Sequence, residues 1–188
     1  MKTKQQNASI FYDLEHLRKH LDLLRGPLRG PQHASRYGKS GKDFNRIVLT
    51  SGGFDPLHVG HLQCIQSSAD IAGKGILIVV VNGDSFLRNK KGYAFMDEES
   101  RMQIISAING VDYVVLYEDP EDMTVCKPIE ILKPNFFTKG GDRDSSTNVP
   151  EFDTCQNIGC EVIFSVGGGK IQSSSELVGD AMKELSET

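Results

Sequence analysis

The chain has 188 residues, 38% apolar and 24% charged, which is ordinary globular usage and excludes a disordered or collagen-like polypeptide. No apolar run reaches the ~20 residues that span a bilayer, and the basic Met1–Gln6 stretch is not followed by an apolar secretion segment, so no membrane partner is expected. The net charge of −4 is uneven: residues 1–46 carry ten Lys/Arg against four Asp/Glu, and the remainder eleven against twenty-one. The basic arm contains no recognisable nucleic-acid-binding motif and reads as a solvated extension rather than a nucleic-acid arm. The cysteines (Cys64, Cys126, Cys155 and Cys160) lack CxxC spacing and read as thiols of a reducing, cytoplasmic compartment.

In chain order, Ile10, Leu14, Leu17, Leu21 and Leu24 recur at helical spacing and form one apolar stripe. Arg25-Gly26-Pro27 stops that helix, and a Gly/Pro/Ser-rich basic linker follows. Residues 1–44 thus read as a helix plus linker that must pack on the main domain or on a partner subunit, and residues 45–188 as the main domain. There, Ile47–Thr50 reads as a buried strand and Val59–Ala72 as a helix. Ile76–Val81 is a strand too uniformly apolar to have a wet face. A helix is expected over Asp97–Ile108 and a strand over Tyr113–Tyr117. A short helix over Thr124–Leu132 precedes a strand at Asn135–Thr138. A further helical stretch leads to a strand at Glu161–Phe164, and a helix over Ser173–Leu185 closes the chain. Strands alternating with helices predict an α/β, Rossmann-like open parallel sheet with helices on both faces, plus the N-terminal helical extension. Ligands of such sheets bind beyond the carboxyl ends of the strands.

The loop after the first of these strands reads Ser51-Gly52-Gly53-Phe54-Asp55-Pro56-Leu57-His58-Val59-Gly60-His61. Paired glycines let a phosphate approach the backbone, and the helix that follows offers free N–H groups. His58 and His61, three apart at the helix start, face one side and can donate hydrogen bonds to phosphoryl oxygens as charge builds up. A metal pair is the other use of this spacing, but the loop supplies no third ligand, and no protein metal site is expected.

The Gly52–His61 segment resembles the signature of the cytidylyltransferase-like nucleotidyltransferase superfamily. Val81-Asn82-Gly83-Asp84 with Arg88 and Lys90-Lys91-Gly92, Glu99-Ser100-Arg101-Met102, and Lys139-Gly140-Gly141-Asp142 resemble the adenylyltransferase domain of ADP-heptose synthases. Glycerol-phosphate and ethanolamine-phosphate cytidylyltransferases share much of this layout. The resemblance implies transfer of a nucleoside monophosphate from a triphosphate to a sugar phosphate, with pyrophosphate released. A CTP-dependent enzyme acting on glycerol phosphate or another alcohol phosphate, and an inactive nucleotide-binding regulator, are the alternatives. It implies that His58, His61 and one of Lys90 and Lys91 are catalytic. It further implies that Gly52, Gly53, Phe54, Asp55, Gly60, Arg101, Lys139, Gly141, Asp142, Ser173, Ser174 and Ser175 bind nucleotide. For Arg101 the bland alternative is a surface ion pair with Asp97. The chain departs from the heptose enzymes at Arg143, where they carry an aromatic residue, and at Gly167-Gly168-Gly169-Lys170, where Lys170 stands in for an arginine as a phosphate contact. Mg²⁺ is expected to arrive with the triphosphate, and a homodimer is the expected assembly.

Overall fold

The computed structural model describes residues 7–25, 42–141 and 149–187. Six strands form one parallel sheet in the order β1-β4-β3-β2-β5-β6: β1 (Ser9–Phe11), β2 (Ile47–Gly52), β3 (Ile76–Asn82), β4 (Tyr113–Tyr117), β5 (Phe136–Gly140) and β6 (Glu161–Val166). The helices are α1 (Leu14–Arg25), α2 (Val59–Ala72), α3 (Asp84–Lys91), α4 (Glu98–Ser106), α5 (Cys126–Leu132), α6 (Phe152–Ile158) and α7 (Ser174–Ser186).

Residues alternate between the two faces with the period of two that a strand imposes. Ile47, Leu49, Ile76, Ile78, Val80, Tyr113, Val115 and Phe137 join one buried cluster with α1, α5 and α6. Val48, Leu77, Val79, Val81 and Val114 join the opposite cluster, with Ile65 of α2 and Met102 and Ile105 of α4. Both faces of β3 are therefore dry, which explains its unbroken apolar sequence.

Two elements differ from the sequence expectation. Ile10 lies in strand β1, which pairs with β4 in the register Ile10↔Val114, rather than in the first helix. Helix α1 then buries Leu14, Leu17 and Leu21 in the same core as the sheet, while Leu24 is left 42% exposed. The stretch after β3, where the sequence reading placed no element, is helix α3, closed by Gly92 at φ 85°.

The chain runs from β2 outward through β3 to β4, then crosses back to β5 and β6 on the other side of β2. The winding direction reverses between β2 and β5, and a crevice opens at the carboxyl ends of that pair. No helix among the described residues is long and apolar enough to cross a membrane.

Candidate active site

The loop leaving β2 is shaped by close approaches. Phe54 is buried with φ 52°, and its ring lies 3.0 Å from where a Cβ on Gly52 would stand, so no larger residue fits there. Asp55 borders the cavity but turns its carboxyl group into the protein. Its carboxylate, fully shielded from solvent, accepts from the backbone N–H of Phe95 (2.8 Å) and Met96 (2.7 Å) and pairs with Lys91 Nζ at 2.9 Å. Burial alone pushes this carboxyl up, but those two N–H groups and the Lys91 ammonium outweigh it and hold Asp55 below the usual carboxylate range. Lys91 also donates to the Asp55 carbonyl and lies 4.7 Å from the Tyr93 ring.

His58 occupies the N-cap position of α2, and His61 lies in its first turn. The two rings stack with centroids 3.7 Å apart and planes 22° from parallel, and the Phe54 ring meets His61 edge-on at 5.3 Å. The His58 backbone N–H points at His61 Nδ1 (3.4 Å), which leaves the proton of a neutral His61 ring on Nε2. Burial, then the neighbouring His58 ring and the Lys91 ammonium, push His61 down to about 4. Burial also lowers His58. Both rings are thus pushed toward the neutral form, in which a ring presents an N–H group rather than a charge. His58 Nδ1 is buried and has no hydrogen-bond partner among the described residues.

The segment between β6 and α7 closes on this helix mouth from the other side. A Cβ on Gly167 (φ 84°) would stand 2.6 Å from the Cys64 backbone nitrogen, so the loop rests directly on the α2 main chain. Ser174 Oγ donates to the Pro56 carbonyl at 3.0 Å, tying the start of α7 to the histidine loop. From β5, Lys139 Nζ lies 3.3 Å from Ser51 Oγ and 3.5 Å from Glu151 Oε2.

These pieces surround one cavity of about 490 Å³. Every candidate drawn from the sequence except Arg101 and Asp142 lines it, including both histidines, Lys90, Lys91, Lys139, Lys170 and Ser173 through Ser175. Asp142 lies outside the described residues. Arg101 is a correction. Its side chain is fully buried behind the strand ends, where the guanidinium donates to Gly53 O (2.8 Å), Asn82 O (2.6 Å) and Met96 O (3.1 Å) and pairs with Asp84 at 2.6 Å. Neither a nucleotide contact nor a surface pair with Asp97 describes it. With four of its five N–H donors used inside the protein, it fastens the carboxyl ends of β2 and β3 to each other.

Sequence reasoning did not single out Asn82, Phe86, Cys64 and Met123, which also line the cavity. Asn82 stood within a quoted motif, and as the polar last residue of an apolar strand it was the one legible signal. Among the described residues no group of three or more His, Cys, Asp or Glu side chains is placed to hold a metal ion, and the Asp55 carboxylate is committed to backbone and lysine. The donor set is one for oxyanions, and it fits a cation that arrives already coordinated by phosphate oxygens.

A doubly wound sheet whose switch point gathers two imidazoles, lysines and two helix N-termini is a Rossmann-like fold with a site suited to phosphate oxygens. Residues 49–163 match the model of the cytidylyltransferase-like family, and the chain belongs to that family. It is 31% identical over 152 residues to the bifunctional protein HldE of Geobacter sulfurreducens, a match covering 80% of this chain and 26% of that protein. It is 30% identical over 175 residues to HldE of Desulfatibacillum aliphaticivorans, covering 89% and 30%. The chain thus spans less than a third of the length of these relatives. The crystal structure of a lipopolysaccharide core biosynthesis protein from Thermoplasma volcanium is similar at a TM-score of 0.53 with 29% identity, over 68% of this chain and 97% of that one.

Proposed function

We propose that the protein transfers a nucleoside monophosphate from a nucleoside triphosphate to a sugar phosphate and releases pyrophosphate. The observation that carries this reading is the convergence of His58, His61 and the Ser173–Ser175 turn on one cavity, fastened by the Ser174–Pro56 hydrogen bond. The chain's likeness to a lipopolysaccharide core biosynthesis protein supports a carbohydrate acceptor. The four cysteines, all free thiols, suit a reducing cytoplasm.

In this reaction an oxygen of the acceptor's phosphate attacks the α-phosphorus in line. A new P–O bond forms as the bond to the β-phosphate oxygen breaks, and the electron pair leaves with pyrophosphate. No enzyme nucleophile takes part. The protein positions the two phosphates and stabilises negative charge on the α-phosphoryl oxygens. His61 contributes its Nε2–H, His58 a second ring donor, and the amides at the starts of α2 and α7 hold the polyphosphate. Neutral donors suit the task because they bind the growing charge without anchoring the ground state more strongly. Mg²⁺, which the triphosphate would bring, supplies charge neutralisation on the phosphate oxygens.

The test is pyrophosphate release from each nucleoside triphosphate with a panel of sugar and polyol phosphates. The expected result is turnover with at least one pair, reduced about 10²–10³-fold in His58→Ala or His61→Ala. A double alanine variant with wild-type turnover would remove the assignment.

A further inference from the structure

Asn82 ends β3 at the floor of the cavity, 6% exposed, with its backbone carbonyl held by Arg101. Its side-chain Oδ1 has no hydrogen-bond partner among the described residues, although the protein seals it from solvent. A buried amide oxygen left unpaired is costly, and such a group is retained where a ligand completes it. Position says which ligand. The Ser-rich turn and Lys139 approach the imidazole pair from the β5 and β6 side of the switch point, whereas Asn82 stands on the β3 side. There the cavity wall continues into Phe86 of α3 and Met123 of the segment before α5. A polyphosphate that spans the helix mouths and the serine turn leaves this side to the second substrate. The wall offers a carbohydrate what it needs: apolar surface for the ring or carbon chain, and one amide for a hydroxyl. A turn of the amide about χ2 exchanges Oδ1 and Nδ2, so either an acceptor or a donor can meet that hydroxyl.

We propose that Asn82 is a specificity-determining residue that hydrogen-bonds a hydroxyl of the phosphorylated acceptor, and that Asn82, Phe86 and Met123 form the acceptor's subsite. The proposal rests on the transfer reaction proposed above. Oδ1 bonds nothing among the described residues, so the side chain is open to recognition while the backbone carbonyl serves Arg101.

The experiment measures pyrophosphate release by the full chain with aldose 1-phosphates and glycerol 3-phosphate, each paired with analogues lacking one hydroxyl. It compares wild type, Asn82→Ala and Asn82→Ser, and follows thermal unfolding of all three. The expected result is an acceptor KM raised about tenfold in Asn82→Ala, partly restored in Asn82→Ser, with the nucleotide KM and the melting temperature unchanged. Wild type should discriminate against one deoxy analogue, and Asn82→Ala should treat that analogue and its parent alike. A rise confined to the nucleotide KM would place Asn82 at the base and overturn the proposal. So would equal loss with every acceptor, or a fall in melting temperature that accounts for the lost activity. Absence of pyrophosphate release by wild type with all acceptors would instead refute the transfer reaction itself, and this inference with it.

Discussion

Replacing Arg101 by methionine separates a structural arginine from a ligand-binding one. The guanidinium makes three hydrogen bonds to main-chain carbonyls and an ion pair with Asp84, all within a side chain that solvent does not reach. Methionine fills similar volume but leaves the Gly53, Asn82 and Met96 carbonyls without this donor and Asp84 with only the looser 3.7 Å pair to Arg88. Breaking a buried ion pair from one side costs roughly 3–5 kcal/mol. In a chain of this length each kcal/mol lowers the melting temperature by about 2–4 °C, so a loss of about 4 kcal/mol appears as a drop of roughly 8–16 °C. Lysine at this position keeps the charge but reaches fewer of the four acceptors, and Arg101→Lys should melt between the two. Scanning calorimetry measures the drop, and isothermal titration with a nucleoside triphosphate measures affinity at a temperature where both proteins are folded. A melting temperature within about 3 °C of wild type, together with weakened nucleotide binding, would return Arg101 to the ligand and refute its role as a strand fastener.

The remaining predictions concern protonation and backbone contact. His61 titrates near 4 in the fold against 6.5 in its ordinary state, so between these values the unfolded chain takes up the proton first. Its contribution is complete above about pH 6.5 and is lost as pH falls toward 4, amounting to on the order of 3 kcal/mol. Urea midpoints at pH 7 and 4.5 should therefore separate less in His61→Gln than in wild type, and an equal separation would contradict the burial argument. Asp55 acts lower on the scale: its depressed carboxyl stabilises the fold above the ordinary carboxylate value of 3.8 and loses that effect as pH falls through its folded value. Asp55→Asn should abolish this last acid step in a pH titration of unfolding. Gly167→Ala must push the β6–α7 loop off the α2 backbone, because the new Cβ would stand 2.6 Å from Cys64 N at a φ of 84°. A several-fold rise in the nucleotide KM is expected, read in a pyrophosphate-release assay, and an unchanged KM would count against the serine turn as a nucleotide contact.

Much of the architecture was legible because it follows from periodicity. Strand β3 and helix α2 announce themselves by an unbroken apolar run and by a double glycine before the helix, and the crevice follows from the parallel order. What stayed hidden obeys no period. Strand β1 has three residues, too few to show alternation, and Ile10 falls in phase with the leucines of α1, so the stripe reads as beginning one element early. Helix α3 buries only Leu87 and carries Asp84, Arg88, Lys90 and Lys91, so it has no stripe to read, and its N-cap is a glycine without a side chain to signal it. The site divides the same way. The histidines and the serine turn stood out in the sequence because their residue types suit phosphate, and the fold brings them to one cavity. Arg101 misled for that very reason: an arginine near phosphate-binding loops reads as a ligand contact, and nothing in its local sequence shows that Gly53, Asn82 and Asp84 already surround it. Asp55 likewise faces the protein, since its partners Phe95 and Met96 lie forty residues onward.

Helix α7 has no buried residue, and its start is pinned to the body through Ser174 and Pro56. Such an element undocks at far less free energy than global unfolding requires. A polyanion gripping α2 and the start of α7 together would act as a bolt across that joint. Amide-exchange protection along Leu177–Leu185 should then rise with nucleotide occupancy while that of β3 stays fixed, making the end of the chain a built-in gauge of whether the crevice is filled.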